Sequence, residues 1–324
     1  MVDERDDDLI HLPEDNAPGW FDRFWVNAHT VDGRTTISQG LGVYPNVGVM
    51  DAFAIIVRGR EQRTVRASRE IGAERGPLIV GPVGAHITEP LQRWRFRLDA
   101  QNDAGIAYDF TFAGTFAPID CGRMRDWSHF VQAGAVQGRL SIDGEESIID
   151  PKSWRASRDR SWGLRPETRA RFNWVSMQTL SFHLWYLAVD DEAGVQRFAQ
   201  GWLRHAAHQG GAVEKIERIV RRTAFDESRA FRSAEVEVGT TTGATHRLEV
   251  RRLDATVFLR GGLYGGWKGW RHGDRKGALH VEAEQWDLTD ADTRREAAGL
   301  NDHVCEFRVR DEVGYGIFEL NHGL

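Results

Sequence analysis

The feature that most constrains the fold of this chain is a series of short segments in which apolar and polar residues alternate, separated by turns that contain glycine and aspartate. A period of two is typical of β-strands that bury one face. The clearest alternation is at Ala234, Val236, Val238, Cys305, Phe307 and Val309. The Asp143-Gly144 pair between GRLSI and EESIID favours a tight hairpin turn. The pattern therefore predicts an antiparallel all-β protein with few short helices.

Two segments have helical spacing. Residues 213–222, VEKIERIVRR, carry apolar side chains at 213, 216, 219 and 220, which fits a helix, although the neighbouring strands leave a strand possible. Residues 291–300 predict a short helix that ends at Gly299.

The chain has 324 residues, which exceeds one small barrel and suits two β-barrel or β-sandwich units packed together. Asp150-Pro151 interrupts the strand rhythm, and no linker rich in proline and serine follows it. We therefore predict an N-terminal domain of residues 1–155 and a C-terminal domain of residues 156–324.

Charge and cysteine usage exclude several classes of protein. A formal net charge of −6 argues against general affinity for nucleic acid or for anionic membranes. No apolar run has the length of a transmembrane helix, and the acidic start MVDERDDDLI lacks the apolar region of a secretory signal. This start predicts a frayed tail rather than a partner-binding arm. Cys121 and Cys305 stand far apart without a CxxC neighbour, which favours two reduced thiols and a cytoplasmic protein. Nothing in the sequence indicates an oligomeric state.

Residues 157–165, SRDRSWGLR, combine three arginines, an aspartate and a tryptophan. In a strand, Arg158, Arg160 and Trp162 would point to one face, and Asp159 would point to the other. If the face of Asp159 is apolar, burial raises the pKa of this carboxyl and makes it a candidate general acid. If an arginine reaches it instead, the two form a structural ion pair. Arg158 or Arg165 is a candidate to orient Asp159 or a substrate carboxylate.

Aromatic and titratable residues elsewhere supply further candidates. The 12 tryptophans either fill wide β-cores or line a pocket for a large ligand. The candidates for cavity walls are Trp162, Trp185, Tyr186, Tyr264, Trp267 and Trp270. The candidate bases are His29, His129 and His183, while Glu306 and Glu319 lie in final strands and face either the cavity or solvent. His205 and His208 have no acidic residue at a spacing typical of metal ligands, so no metal site is predicted.

Residues 129–165 resemble the AttH-like family, which is related to carotenoid 1,2-hydratases. The resemblance is carried by HFVQAGAVQG at 129–138, by the RLSIDGEE hairpin and by SRDRSWGLR. The segments GVYPNVGVMDAF at 42–53 and GYGIFEL at 314–320 also look like bacterial members of that group.

The resemblance implies two lipocalin-like β-barrels or sandwiches that enclose a hydrophobic cavity and need no cofactor. The aspartate, tryptophan and glycine of the family motif match Asp159, Trp162 and Gly163. The family usually has histidine where this chain has Arg160. Because arginine does not exchange a proton near neutral pH, a mechanism that uses that histidine does not carry over. Arg160 is instead expected to pair with Asp159 or to bind an acidic group of the substrate.

Three functions follow from these observations. The first is an enzyme that hydrates, dehydrates or isomerises a large hydrophobic substrate, such as an isoprenoid, steroid or polyketide-like compound, with Asp159 as the acid. The second is a carrier or sensor of a hydrophobic small molecule, which needs an apolar pocket but no acid. The third is a scaffold in which the arginine cluster only joins two barrels. A cavity faced by Asp159, together with a raised pKa of that carboxyl, would favour the enzyme.

Overall fold

The computed structural model describes residues 2–8, 10–13, 16–71, 76–124, 126–164 and 171–321. Within these ranges the chain is almost entirely antiparallel β-structure, as the alternation predicts. The first twelve strands are β1 (Trp20–Thr30), β2 (Thr35–Tyr44), β3 (Val49–Arg58), β4 (Glu61–Glu70), β5 (Ile79–Val80), β6 (Val83–Glu89), β7 (Arg93–Leu98), β8 (Ile106–Gly114), β9 (Ile119–Met124), β10 (Trp127–Ile142), β11 (Glu145–Ile149) and β12 (Trp154–Leu164).

The later strands are β13 (Arg171–Gln178), β14 (Phe182–Asp190), β15 (Gln196–His205), β16 (Val213–Phe225), β17 (Phe231–Thr240), β18 (Thr245–Phe258), β19 (Leu279–Asp287), β20 (Leu300–Val309) and β21 (Glu312–Asn321). The α-helices of the described ranges are α1 (Arg5–Asp8) and α2 (Ala291–Ala297). Short 3-10 helices span Pro45–Val47, Ala207–Gln209, Leu259–Gly261 and Trp267–Gly269. Within these ranges, no helix has the length and apolar character needed to cross a membrane.

The first unit is a large curled sheet. Its strands follow the order β19-β4-β3-β2-β1-β12-β10-β8-β7-β6-β5, with β9 and β11 also paired to β10. The sheet curls far enough for β5 and β6 to approach β3, and the amide of Gln39 on β2 donates to the carbonyl of Gly84 on β6 at 3.0 Å. Its concave side is filled by alternate residues of these strands, including Val26, Ile37, Val65 and Phe110.

The second unit is a closed barrel in the order β13-β14-β15-β16-β17-β18-β20-β21. Its interior holds apolar side chains such as Leu184, Leu203, Val238 and Phe307. Between β18 and β20 the chain leaves the barrel, and β19 pairs with β4 of the first sheet. The predicted domain boundary at residues 155/156 falls inside β12, which pairs with β1 and β10.

A third apolar core lies between the two units and positions the site described below. It is built from the outward face of the first sheet, including Phe53 and Val131, and from the outward face of the barrel, including Trp174 and Ile317. Because side chains alternate along each strand, one strand supplies both an interior core and this shared core.

The segment at residues 213–222 is a strand, and the helical interpretation is wrong. A β-bulge between Ile216 and Arg218 inserts an extra residue opposite β17. The bulge shifts the alternation by one residue, so Ile216 and Ile219 both point into the barrel and are buried. Their spacing of three therefore imitates a helix. The other helix prediction is confirmed by α2, in which the Asp290 side chain accepts hydrogen bonds from the backbone N–H groups of Asp292 and Thr293.

Candidate functional site

A cavity of about 540 Å³ opens between the first sheet and the outer face of the barrel. Its walls are mainly aromatic and aliphatic, and both units contribute. The apolar lining includes Trp25, Phe53, Trp127, Phe172, Trp174, Leu187, Phe198, Tyr264 and Leu300. A cavity of this size and lining suits a medium-sized apolar small molecule.

The polar side of the cavity is formed by neighbouring positions on β1, β12 and β10. Arg23 lies opposite Ser161 on β12, and Ser161 lies opposite His129 on β10. One step along the strands, Trp25 lies opposite Asp159. All five residues line the cavity because positions two apart on a strand share a face.

Asp159 and His129 form the central pair of this surface. His129 Nε2 lies 3.3 Å from Asp159 Oδ2, and the two side chains are 4% and 23% exposed. The imidazole is held by aromatic neighbours, with the ring of Trp127 at 5.4 Å and that of Trp185 at 5.5 Å. A carboxylate in contact with a histidine can hold, accept or pass on a proton.

A second pair of titratable side chains lies on the barrel side of the cavity, and both of its members are acidic. Glu319 lines the cavity and lies opposite the fully buried Asp302 across β20 and β21. Glu319 is the polar group that faces Asp302 across the two strands, and no hydrogen-bond donor of the described residues reaches the Asp302 carboxylate oxygens. A buried carboxyl group without a donor is favoured in its protonated, neutral form. Burial, aided by the negative charge of Asp159, raises the pKa of Asp302 to about 7.

Arg158 and Arg160 lie on the opposite face of β12 and do not line the cavity. Arg158 forms a bidentate ion pair with Asp7 at 2.8 and 2.9 Å, and Arg160 forms one with Asp22 at 3.0 and 2.7 Å. Arg160 therefore pairs with Asp22 and not with Asp159. In this structure both arginines act inside the first sheet, where they neutralise buried carboxylates.

The same contacts correct the prediction of a frayed N-terminal tail. Asp7, on α1, is fully buried and accepts further hydrogen bonds from Trp94 Nε1 at 2.9 Å and from the backbone N–H of Leu91. Burial would raise the pKa of Asp7, but the charge and hydrogen bonds of Arg158 outweigh it and lower that pKa. This part of the acidic start is therefore anchored to the first sheet, because the Asp7 carboxylate meets the buried guanidinium of Arg158.

The other residues predicted for substrate contact divide between the cavity and the surrounding structure. Tyr264 lines the cavity, and Trp185 packs behind His129. Tyr186 points into the barrel, where its hydroxyl donates to Asn173 Oδ1 at 2.6 Å. Trp162 stacks on the imidazole of His11 at 4.1 Å, on the face away from the cavity.

Two further tryptophans of the predicted wall contact β19 instead. The indole N–H of Trp267 donates to Glu284 at 3.0 Å, and that of Trp270 donates to Glu282 at 2.9 Å. Neither lines the cavity. Arg165 lies outside the described residues.

Of the predicted bases, only His129 lines the cavity. His29 and His183 are fully enclosed, and burial lowers the pKa of each to about 3, so both stay neutral structural groups. The sequence did not decide whether Glu306 and Glu319 face the cavity or solvent. In the structure Glu319 lines the cavity, whereas Glu306 pairs with Arg251 and Arg308 at the surface. In the part of the chain that is described, no cluster of three or more His, Cys, Asp or Glu side chains is arranged to hold a metal ion.

Sequence reasoning missed several residues of the site. Trp25, Trp174 and Arg23 stand in well-defined alternating segments, but alternation alone does not tell which face meets the other unit. The sequence did contain evidence for Asp302, because this carboxylate lies between apolar positions of a strand that reads LNDHVCEF. A charged residue on a buried face indicates either a pair or a functional group.

Fold and site together define an all-β protein with an AttH-like fold, in which a curled sheet and a closed barrel enclose a cavity carrying two carboxyl-containing pairs. The chain belongs to the family of unknown function DUF8625, whose sequence profile matches residues 8–322. No curated protein sequence matches the chain significantly.

Solved structures share the fold across nearly the whole chain. A protein of Nitrosomonas europaea provisionally assigned as an AttH has a TM-score of 0.62 and 13% identity, with 94% of this chain and 93% of that chain covered. Kievitone hydratase from Nectria haematococca has a TM-score of 0.52 and 12% identity, with 94% and 90% covered. CghA has a TM-score of 0.59 and 11% identity, with 94% and 88% covered. These likenesses confirm the prediction of two packed lipocalin-like antiparallel units.

Proposed function

We propose that this protein is a cofactor-independent enzyme that adds water to, removes water from, or isomerises a hydrophobic small molecule held between its two units. The observation that carries the proposal is the contact between His129 and Asp159 in a cavity whose other walls are largely apolar. A carrier needs only the apolar walls, and a scaffold needs no cavity.

The chemistry requires one group that donates a proton and one that accepts a proton. In hydration, an acid protonates one carbon of a double bond, the π bond breaks, and a carbocation forms at the other carbon. Water adds to that carbon, and a base takes the proton that the water loses; dehydration is the reverse. The Asp302–Glu319 pair, which keeps a proton near neutral pH, can serve as one group, and Asp159 with His129 can serve as the other.

The aromatic lining supports a cationic intermediate. The faces of indole rings attract positive charge, and Trp25, Trp127 and Trp174 all border the cavity. The ring of Trp174 also packs edge-on against that of Trp25 at 5.6 Å, which holds both in place. The name of one structural neighbour, kievitone hydratase, describes a hydratase, and this agrees with the proposed reaction class.

The proposal is tested by measuring proton transfer to carbon, an assay that does not require the natural substrate to be known. The purified protein is incubated in deuterated water with a panel of isoprenoid alkenes, prenylated aromatic compounds and the matching tertiary alcohols. Mass spectrometry then measures carbon-bound deuterium. Hydration and isomerisation introduce it when the acid protonates carbon, and a reversible dehydration introduces it when the alkene product is hydrated again.

Matched variants assign the effect to the site. We expect Asp159→Asn and His129→Gln each to lower deuterium incorporation about 100-fold or more, as for a residue that transfers a proton. Asp109→Asn removes an exposed carboxylate that pairs with Arg95 and should leave the rate unchanged. A compound that co-purifies with the protein, together with no deuterium incorporation from any member of the panel, would favour the carrier instead.

A further inference from the structure

Arg23 presents a positive charge to the cavity without an acidic partner of its own. Its Nε donates to the hydroxyl of Tyr44 at 3.0 Å, and its guanidinium lies over the ring of Phe21 at 4.6 Å. In the described ranges no carboxylate forms an ion pair with Arg23, and its Nη atoms have no hydrogen-bond partner. A guanidinium has five donors, so most of the donors of Arg23 are available to a ligand.

Arg23 is half-buried, and the fully buried arginines of the described residues have a different environment. Arg66 reaches the carboxylates of Glu282 and Glu284, each at 2.6 Å. Arg158 and Arg160 likewise have bidentate carboxylate partners. No carboxylate of the described residues touches Arg23 in the same way, because Asp51, the carboxylate whose charge favours its guanidinium, lies beyond the Tyr44 hydroxyl. The Nη donors that face the cavity can therefore gain from an anion that binds them directly.

A polar network holds Arg23 in position. The hydroxyl of Tyr44 lies 3.3 Å from Asp51 Oδ1 and 3.0 Å from His272 Nδ1. Gly42 leaves space for this network, because a Cβ there would stand 2.4 Å from the Tyr44 hydroxyl oxygen and 2.7 Å from Asp51 Oδ1. The guanidinium is thus fixed before any ligand arrives, which lowers the entropic cost of binding.

The position of Arg23 relative to Asp159 and His129 determines in which direction a charged ligand lies in the cavity. Arg23 on β1 lies opposite Ser161, so it is the diagonal neighbour of Asp159, with Cα atoms about 7–8 Å apart in a regular antiparallel pair. Its guanidinium turns towards Phe21, which lies opposite Gly163 and therefore farther from Asp159. The cavity therefore has a cationic group displaced along β1 from the level of Asp159.

We propose that Arg23 binds a carboxylate at one end of the substrate, so that the cavity accepts an amphipathic acid in preference to a neutral hydrocarbon of the same shape. This inference rests on the proposed function, because it assumes that an apolar molecule enters the cavity. Arg23 is then a specificity-determining residue, and the reaction takes place at a carbon separated from the carboxylate by part of the apolar body.

The test compares two probes that differ only in charge, 1-pyrenebutyrate and its methyl ester, with affinity measured from pyrene fluorescence. For the wild-type chain we expect the acid to bind at least tenfold more tightly than the ester, as for a hydrogen bond between charged groups. Arg23→Gln should lower the affinity for the acid at least tenfold and change the affinity for the ester less than about twofold. Arg23→Lys should give an intermediate loss, because lysine keeps the charge but lacks the planar fork.

Two controls separate the possible failures. Arg34→Gln removes an exposed arginine outside the cavity and corrects for net charge, while Leu187→Trp fills the cavity and should weaken both probes. If Arg23→Gln leaves the affinity of the acid unchanged, or weakens acid and ester equally, the inference about Arg23 is overturned and the proposed function stands. If neither probe binds the wild type, or Leu187→Trp has no effect on either, the cavity is not a binding site and both proposals are wrong.

Discussion

Replacing Asp302 by asparagine should change how the stability of the protein depends on pH. The raised pKa means that the folded protein binds a proton at Asp302 between pH 3.8 and about 7, whereas the unfolded chain has already released it. Stability contributed by this group is therefore fully present below pH 3.8 and is lost as the pH rises towards 7. Asparagine is neutral throughout, as the protonated acid is, so the variant should lack this loss.

The magnitude follows from the two pKa values. Each pH unit between 3.8 and about 7 corresponds to about 1.4 kcal/mol, so the full loss in unfolding free energy is at most about 4 kcal/mol. Between pH 5 and pH 8 the wild type should lose about 3 kcal/mol relative to Asp302→Asn. For a chain of this size that difference corresponds to a relative shift in Tm of about 5–10 °C.

The assay is thermal unfolding of both proteins across this pH range, followed by circular dichroism. Titrating groups that do not interact with Asp302, including the buried His183, contribute equally to both proteins and cancel in the difference. Glu306→Gln is the control on the same strand, because hydrogen bonds from Arg308 and Arg251 lower the pKa of Glu306 and leave it ionised at both pH values. Parallel profiles for the wild type and Asp302→Asn would show that Asp302 holds no extra proton and would refute the argument.

Three further predictions concern the packing around the site. Asp7→Ala leaves a buried guanidinium unpaired and should lower the free energy of unfolding by about 3–5 kcal/mol in urea titrations, with binding of pyrenebutyrate methyl ester retained. Gly40→Val should weaken that ester at least tenfold in the fluorescence assay, because a Cβ at this position would stand 2.2 Å from the Phe53 ring and push it into the cavity. Tyr186→Phe removes the hydroxyl bonded to Asn173 inside the barrel, so unfolding free energy should fall by about 1–3 kcal/mol while deuterium incorporation is unchanged.

Much of the fold was predictable because strand formation depends on local patterns. The alternation of buried and exposed residues indicated antiparallel strands, and the Asp143-Gly144 hairpin formed as expected, with φ of 52° and 83° at its two residues. The error at residues 213–222 arose where a β-bulge breaks the period of two. A bulge depends on the pairing with the neighbouring strand, so the sequence of one strand does not reveal it.

The site was predictable only in part. Alternation correctly separated Asp159 from Arg158 and Arg160, and the structure places Asp159 at a cavity. We had predicted that Arg158 and Arg160 contact a ligand, but neither lines this cavity, because each pairs with a buried carboxylate. The carboxylate that pairs with Arg158 belongs to Asp7 in the N-terminal segment. That segment is more than a hundred residues away in sequence, so no local pattern could pair it with β12.

The sequence by itself determined which residues share a strand face, because the backbone makes side chains alternate whatever surrounds them. It thereby placed one carboxylate, Asp159, on a different face from its two arginine neighbours. Only the tertiary structure decided which faces meet. Sheet order brought His129 to Asp159, the β20–β21 hairpin brought Asp302 opposite Glu319, and the packing of the two units left Arg23 facing a cavity with no carboxylate of the described residues in contact with it. The chemistry of these contacts depends on the burial that only the assembled fold creates, even where the two strands are neighbours in sequence.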